Sequence, residues 1–173
     1  YLQYPILLNC LEFQFLYNLE IYACTHMGGN DIQRTFQVIK EPAYLMLGDP
    51  GILYKMPIYQ GLRMNGVIPL ETTNREDRKI AYNRSIELLN KGGNLLIYPE
   101  GAWNVTPNLV VMKIFNGTVR MAKETGAEII PIGVEQYDNY FYFNIGENYI
   151  IPQNKLGQDI FIRAAENVLT KFI

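Results

Sequence analysis

Short apolar runs alternate along this chain with segments in which apolar residues recur every three or four positions. The runs predict buried strands, and the segments between them predict amphipathic helices. Strands interleaved with helices in this way indicate an α/β fold: a single domain with a mixed, mostly parallel sheet flanked by helices. The predicted strands cover residues 21–25, 43–47, 66–70, 94–98 and 128–134.

Two helices carry clear boundary signals. Thr73 and Glu76 have the spacing of a capping box, and two glycines at 92 and 93 predict the end of that helix. A second helix is predicted over residues 113–125, ending at Gly126. The inward face of the first helix is predicted to consist of Ala81, Tyr82, Ser85, Ile86 and Leu89.

Near the end of the chain, residues 140–144 and 147–151 flank Ile145-Gly146 and predict a hairpin. Two antiparallel strands there are the reason for expecting a mixed sheet.

The first 19 residues form a separate apolar segment within the single domain of residues 1–173. Residues 5–17 are strongly apolar, but Glu12 and Gln14 interrupt them. A bilayer-spanning helix needs about 20 apolar residues, so this segment is too short to cross a membrane. Two interpretations stay open: a helix packed on the domain, and a helix lying in the membrane interface.

Composition excludes several classes of function. The net charge is −2, without a long run of like charge, which argues against a nucleic-acid partner bound through a broad basic face. Cys10 and Cys24 form no CxxC motif, and the chain has one histidine, so neither a structural zinc site nor a disulfide framework is indicated. Cytosolic exposure is the simpler inference.

The single histidine, His26, lies five residues before Asp31, just after a predicted strand. On a helix this spacing would separate the two side chains, so they can meet only across a turn, which Gly28 and Gly29 can supply. A carboxylate that fixes the imidazole tautomer makes a base that works near neutral pH. Asn30 or Asp31 would cap the helix that follows. The alternative is an ordinary strand–turn–helix with Asp31 as its N-cap and His26 at a strand end.

A second candidate segment, Tyr98-Pro-Glu-Gly-Ala-Trp-Asn104, directly follows the strand residues Leu95-Leu96-Ile97. Ligands of such sheets bind beyond the carboxyl ends of strands, where Glu100 and Trp103 would lie. The alternative is a solvated loop with Trp103 packed on the core as a lid.

Together these segments resemble the glycerolipid acyltransferases, whose lysophosphatidate acyltransferases carry four ordered motif blocks. The first block, His-x4-Asp, matches His26 and Asp31. The third block, Phe-Pro-Glu-Gly-Thr-Arg, is similar to residues 98–103. The second and fourth blocks are similar to residues 66–72 and 128–134, so the likeness extends from His26 to Val134.

The resemblance implies transfer of a fatty acyl group from a thioester to a lipid acceptor hydroxyl. Acyl-CoA or an acylated acyl carrier protein would be the donor substrate, with no cofactor and no metal. His26 would be the general base and Asp31 its orienting carboxylate. The implied substrate-binding residues are Glu100, Gly101, Trp103 and Thr72.

The implied mechanism acylates no enzyme side chain, so Cys24 is expected to be a small buried residue. Amides near Gly28, Gly29 or Gly101 are the candidate oxyanion donors. The implied partners include a membrane surface, with the protein cytoplasmic and peripheral to the inner face of the membrane.

The chain departs from the family at two positions. Members that use glycerol phosphates have arginines at the ends of blocks two and three, where this chain has Thr72 and Trp103. We therefore expect a less anionic acceptor than lysophosphatidate, such as a lipoamino acid or a glycolipid, unless cations elsewhere contact a phosphate; the candidates are Lys55, Arg63 and Arg75. Two other classes stay open: a noncatalytic lipid-binding module and a thioesterase that uses water.

Overall fold

The computed structural model describes residues 19–28, 30–48, 66–105, 109, 111–138, 140–148 and 150. Within these ranges the predicted alternation of strands and helices is confirmed. The elements in chain order are β1 (Glu20–Cys24), α1 (Asp31–Ile39), β2 (Ala43–Gly48), β3 (Val67–Leu70), α2 (Arg75–Asn90), β4 (Asn94–Ile97), α3 (Gly117–Thr125), β5 (Glu128–Tyr137) and β6 (Tyr140–Ile145).

The six strands form one sheet in the order β3-β2-β4-β1-β5-β6. β1 lies inside the sheet and pairs in parallel with both β4 and β5, so that Ile21 is opposite Leu95 on one side and Ile129 on the other. Parallel neighbours end at the same edge of a sheet. The loops that follow β1 and β4, separated by about 70 residues in sequence, therefore meet at that edge.

Alternate residues of the strands enter two separate hydrophobic cores. Ile21 and Ala23 face the core formed with α2 and α3, whereas Tyr22 and Cys24 face the core formed with α1. This arrangement gives three layers, with helices on both faces of a mostly parallel sheet, as predicted.

The predicted hairpin around Ile145-Gly146 is wrong. β6 instead pairs antiparallel with β5, beginning with Tyr137 opposite Tyr140. The chain reverses at Asp138, which has a positive φ of 53°. This short turn brings residues 140–145 back along β5, and the Gly146 amide then donates to the Pro131 carbonyl at 2.8 Å.

The helix α2 begins one residue later than the predicted capping box implies. Its N-cap is Asn74, whose side chain accepts hydrogen bonds from the amides of Glu76 and Asp77. The hydroxyl of Thr73 is engaged elsewhere, since it donates to Glu71 Oε1 at 2.9 Å. The predicted inward face is confirmed: Ala81, Ser85 and Leu89 are buried, and Tyr82 and Ile86 pack against the same core.

The helix α3 is shorter than predicted, although it ends as expected at Gly126, which has a φ of 75°. The Phe115 amide donates to the Pro99 carbonyl at 2.9 Å, which holds residues 113–116 against the loop after β4 instead of in a helix. The first residues of the predicted helix are thus bound to the loop after β4.

No helix in the described ranges is long and apolar enough to span a bilayer. Apart from Leu19, the apolar segment at 1–19 lies outside the described residues, as do Cys10, Gly29, Lys55 and Arg63.

Candidate active site

His26 stands just past the carboxyl end of β1, at a point where the chain is fixed to the neighbouring strand. The Thr25 amide donates to the Ile132 carbonyl at 3.0 Å, and the Thr25 hydroxyl accepts from the Val134 amide at 2.8 Å. Because Thr25 is held through both backbone and side chain, the position of His26 is set by the sheet.

Asp31, the first residue of α1, faces His26 across the predicted turn. Its Oδ2 lies 2.8 Å from His26 Nδ1 and also accepts hydrogen bonds from the amides of Met27 and Gly28, each at 2.8 Å. Gly28 has a φ of 92°, a conformation that glycine adopts readily. The carboxylate therefore holds both the imidazole and the turn that carries it.

The surroundings of Asp31 keep its carboxyl group ionised. Its side chain is fully buried. Burial by itself would raise the pKa of Asp31, but the hydrogen bonds from His26 and from the turn amides outweigh it and lower that pKa below its usual value. An ionised carboxylate only accepts hydrogen bonds, so His26 Nδ1 donates to it, and in the neutral form of this imidazole the lone pair lies on Nε2.

The alternative in which Asp31 caps α1 through its side chain is wrong. Asn30 occupies the N-cap position, and no side-chain capping bond is formed there. The Asp31 carboxylate is turned back toward the loop, and its backbone carbonyl accepts from the Thr35 hydroxyl at 2.8 Å.

Glu100 lies beside His26, but its oxygens contact the protein backbone. Oε1 accepts from the His26 amide at 3.1 Å and Oε2 from the Met112 amide at 2.7 Å. The residue is 4% exposed, and burial raises the pKa of its carboxyl group. These contacts favour a positioning role over the substrate contact expected from the sequence.

Gly101 occupies a position that a larger residue would not fit. It has a φ of 67°, and a Cβ built there would lie 2.8 Å from Cε2 of Phe115. The turn after Glu100 therefore favours glycine for its backbone conformation, and a side chain at this position would displace the exposed Phe115 ring.

Two aromatic rings flank the imidazole. The Tyr98 ring centroid lies 4.3 Å from that of His26, and the Trp103 ring meets it edge-on at 6.1 Å. Trp103 also packs on Gly28, where a Cβ would lie 2.9 Å from the indole, yet the residue stays 59% exposed. The indole is thus a wall beside His26 and does not cover the core as a lid.

The predicted site residues meet at one groove. Thr72, at the end of β3, lines it, and its methyl group lies against Gly48. Asp31 lies behind the histidine and is fully buried. The others line the same groove: His26, Glu100, Gly101 and Trp103.

The supporting roles of several residues were not predicted from the sequence. The backbone amide of Asn104 donates to the His26 carbonyl at 2.6 Å. The backbone amides of Met112 and Phe115 donate to Glu100 and Pro99 in the loop after β4. Asn104 belongs to the candidate segment at 98–104, but no particular role was predicted for it. For Met112 and Phe115 there was no signal, because their contacts use backbone amides at no regular spacing.

Two of the three candidate oxyanion amides are already engaged. Gly28 N–H donates to Asp31, and Gly101 N–H donates to the Tyr98 carbonyl at 3.0 Å. Gly29 lies outside the described residues. Cys24 is fully buried, as expected, and burial raises the pKa of its thiol, so it is a poor nucleophile.

No group of three potential metal ligands occurs among the residues that the structure describes.

Known proteins are similar to this chain in sequence and in fold. A family model described as Acyltransferase matches residues 18–135. A chloroplastic 1-acyl-sn-glycerol-3-phosphate acyltransferase of Arabidopsis thaliana is 27% identical over 112 residues, which is 65% of this chain and 30% of that protein. A 1-acyl-sn-glycerol-3-phosphate acyltransferase of Borreliella burgdorferi is 30% identical over 80 residues, 46% of this chain and 31% of that protein.

A similar fold occurs in the crystal structure of the 1-acyl-sn-glycerophosphate acyltransferase PlsC from Thermotoga maritima. The TM-score is 0.65 at 17% sequence identity, covering 89% of this chain and 64% of that one. The fold class predicted from the sequence is confirmed by this likeness. The matched regions amount to less than a third of the length of the curated relatives.

Proposed function

Because this chain belongs to the acyltransferase family, we propose that it transfers a fatty acyl group from a thioester to the hydroxyl of a lipid acceptor. The observation that carries the proposal is the contact between His26 Nδ1 and Asp31 Oδ2 at 2.8 Å. It leaves the lone pair of Nε2 for a substrate in the groove that His26 lines.

In the proposed reaction His26 acts as a general base. Nε2 takes the proton of the acceptor hydroxyl while that oxygen attacks the thioester carbonyl, and Asp31 stabilises the resulting imidazolium. As the tetrahedral intermediate collapses, the C–S bond breaks and the imidazolium returns the proton to the leaving thiolate. An ester and a free thiol result, with no acylated enzyme group.

Glu100 contributes by positioning. It joins the His26 amide to the Met112 amide, and Asn104 holds the His26 carbonyl. Both backbone polar groups of the histidine are thus tied to the segment that follows β4. A base that must approach a hydroxyl within hydrogen-bonding distance benefits from such support.

The donor is proposed to be a thioester of coenzyme A or of acyl carrier protein, and the acceptor a lipid. The relatives are named for 1-acyl-sn-glycerol-3-phosphate. The uncharged residues Thr72 and Trp103 are instead the reason for considering a less anionic lipid. Both acceptor classes belong in the experiment.

A membrane surface is the proposed source of the acceptor. Four large apolar side chains are exposed in the segments that follow β4: Trp103, Val105, Leu109 and Phe115. Two of them, Trp103 and Phe115, line the groove. Exposed apolar patches are typical of surfaces that contact membranes or proteins. We propose a cytoplasmic protein peripheral to the inner face of the membrane.

The test is incubation of the purified protein with a radiolabelled acyl thioester and vesicles made from a total lipid extract. Label in a new lipid ester supports the proposal. Free labelled fatty acid would instead indicate a thioesterase, and binding without turnover would indicate a noncatalytic lipid-binding module; either result overturns the proposal.

A further inference from the structure

The groove that contains His26 carries several cations near the end of β3. Among the described residues, four cationic side chains line it: Arg75, Arg78, Lys79 and Arg120. The acidic residues lining it are Glu76 and Glu100, and both oxygens of Glu100 already accept backbone hydrogen bonds. An anionic group entering the groove would therefore meet an excess of positive charge.

Arg78 is held near the end of β3, whereas the guanidinium group of Arg120 lies over the Tyr82 ring at 5.0 Å. Nη1 of Arg78 donates a hydrogen bond to the backbone carbonyl of Thr72. In family members that use glycerol phosphates, the second block ends in an arginine at the position of Thr72. A guanidinium group thus lies at that position, although it is supplied by α2 instead of by the end of β3.

The charge of Arg78 is not neutralised by an ion pair within the described part of the chain. The ion pairs found there are His26 with Asp31 and Lys91 with Glu87. Guanidinium has five N–H donors in a planar fork, so a single bond to the Thr72 carbonyl orients the group and leaves other donors available.

The backbone amides at the N-terminus of α2 are not available to bind an anion. Asn74 occupies the amides of Glu76 and Asp77, and the Asp77 carboxylate accepts from the Glu71 amide at 2.6 Å. An anion at this end of the groove would depend on the basic side chains.

We propose that Arg78, assisted by the neighbouring Arg75 and Lys79, binds a phosphate group of the substrate that reacts at His26. The inference rests on the proposed acyl transfer. If the phosphate is that of the acceptor headgroup, Arg78 supplies from α2 the charge that is missing at Thr72, and the expectation of a less anionic acceptor is replaced. The phosphate belongs either to the acceptor headgroup or to the donor, since coenzyme A also carries phosphates.

The experiment compares Arg78→Ala with Arg84→Ala, a matched variant of an exposed arginine on the same helix outside the groove. Two acceptors are used, 1-acylglycerol phosphate and uncharged 1-acylglycerol. Two donors are used, acyl-CoA and the acyl thioester of N-acetylcysteamine, which has no phosphate. Circular dichroism and urea unfolding verify that each variant folds.

Arg78→Ala is expected to raise one KM about tenfold or more, because a charge-assisted hydrogen bond is lost. A rise for 1-acylglycerol phosphate but not for 1-acylglycerol assigns the site to the headgroup. A rise for acyl-CoA but not for the phosphate-free thioester assigns it to the donor. Arg78→Lys should recover part of the loss, because it keeps the charge without the fork.

Two results would overturn the inference: equal behaviour of Arg78→Ala and Arg84→Ala, or an equal loss with all substrates. Isothermal titration calorimetry with coenzyme A and with 1-acylglycerol phosphate measures phosphate binding without turnover. It therefore distinguishes failure of the phosphate site from failure of the proposed acyl transfer. If the wild-type chain turns over no substrate, weaker binding by Arg78→Ala alone still supports the phosphate site, and unchanged binding rejects it.

Discussion

Asp31 reaches His26 by a hydrogen bond of 2.8 Å that crosses a turn between β1 and α1. The same carboxylate oxygen accepts the two backbone amides of that turn, Met27 and Gly28. Orientation of the imidazole and formation of the turn therefore both depend on Oδ2 of Asp31. A substitution of His26 removes only the base, whereas a substitution of Asp31 also affects the turn.

His26→Ala should reduce acyl transfer by roughly two to four powers of ten, because loss of a general base typically has this effect. The fold should be unchanged, since His26 lies at the mouth of the groove beyond the strand. Initial rates with a labelled thioester measure the loss of acyl transfer, and circular dichroism verifies that the variant is folded. Near wild-type turnover by a folded variant would disprove the mechanism.

Asp31→Asn should affect both activity and the dependence of stability on pH. The folded pKa of Asp31 is lowered, so its stabilisation is present above the unfolded pKa, about 3.9, and is lost as pH falls through the folded value. The variant should be less stable than the wild type at neutral pH, and the difference should shrink below about pH 4.

Urea unfolding across a pH series measures this difference, with Asp138→Asn as the matched substitution of an exposed aspartate. A difference between Asp31→Asn and wild type that is constant with pH would contradict the role of the carboxylate charge.

Glu100→Ala should weaken activity, and Glu100→Gln should do so less. The glutamine amide can accept only one of the two backbone N–H bonds, so one buried donor is left without a partner, at about 1–3 kcal/mol of unfolding free energy. A positioning role predicts that kcat falls while KM changes little. A rise in KM alone would favour the substrate contact originally expected.

Gly101→Val should damage activity more severely than Glu100→Ala. The substitution combines a positive φ with a Cβ contact of 2.8 Å to Phe115, and a β-branched residue is the least able to adapt. Gly126→Val is a matched control, because it has a φ of 75° with no neighbour within 4 Å. If the Phe115 contact matters, adding Phe115→Ala should restore part of the activity of Gly101→Val but not of Gly126→Val.

Trp103→Arg should shift acceptor preference toward phosphate-bearing lipids, by about tenfold in the ratio of kcat/KM values, because it adds a guanidinium group to the groove wall. Competition between 1-acylglycerol phosphate and a glycolipid acceptor measures that ratio. An unchanged ratio would mean that Trp103 does not lie near the headgroup.

Local patterns in the sequence predicted most of the fold. The apolar runs at 21–25, 94–98 and 128–134 are buried strands because their side chains enter cores on both faces of the sheet. The cap of α2 was missed by one residue, since Thr73 and Asn74 are both good capping residues and the Thr73 hydroxyl bonds Glu71 instead. The hairpin was misplaced because the competing turn at Asp138 leaves only a weak signal in sequence.

The pairing of His26 with Asp31 could be predicted, because the glycine-containing sequence between them permits a turn and the resemblance supplied the chemistry. The role of Glu100 could not, because its partners are backbone amides brought near by the strand order. The same holds for Arg78, whose position depends on where α2 begins relative to β3.

The hydrogen bond from the His26 amide to Glu100 spans 74 residues of sequence, and it has a consequence for synthesis of the chain. A ribosome makes the histidine and its aspartate early, and their turn can form locally. The histidine cannot be fixed until β4 has emerged and paired with β1, and its support is complete only after Met112. A nascent chain that stops before this point would carry the His-x4-Asp motif without a working site, so acyl transfer would begin only once the second half of the sheet had folded.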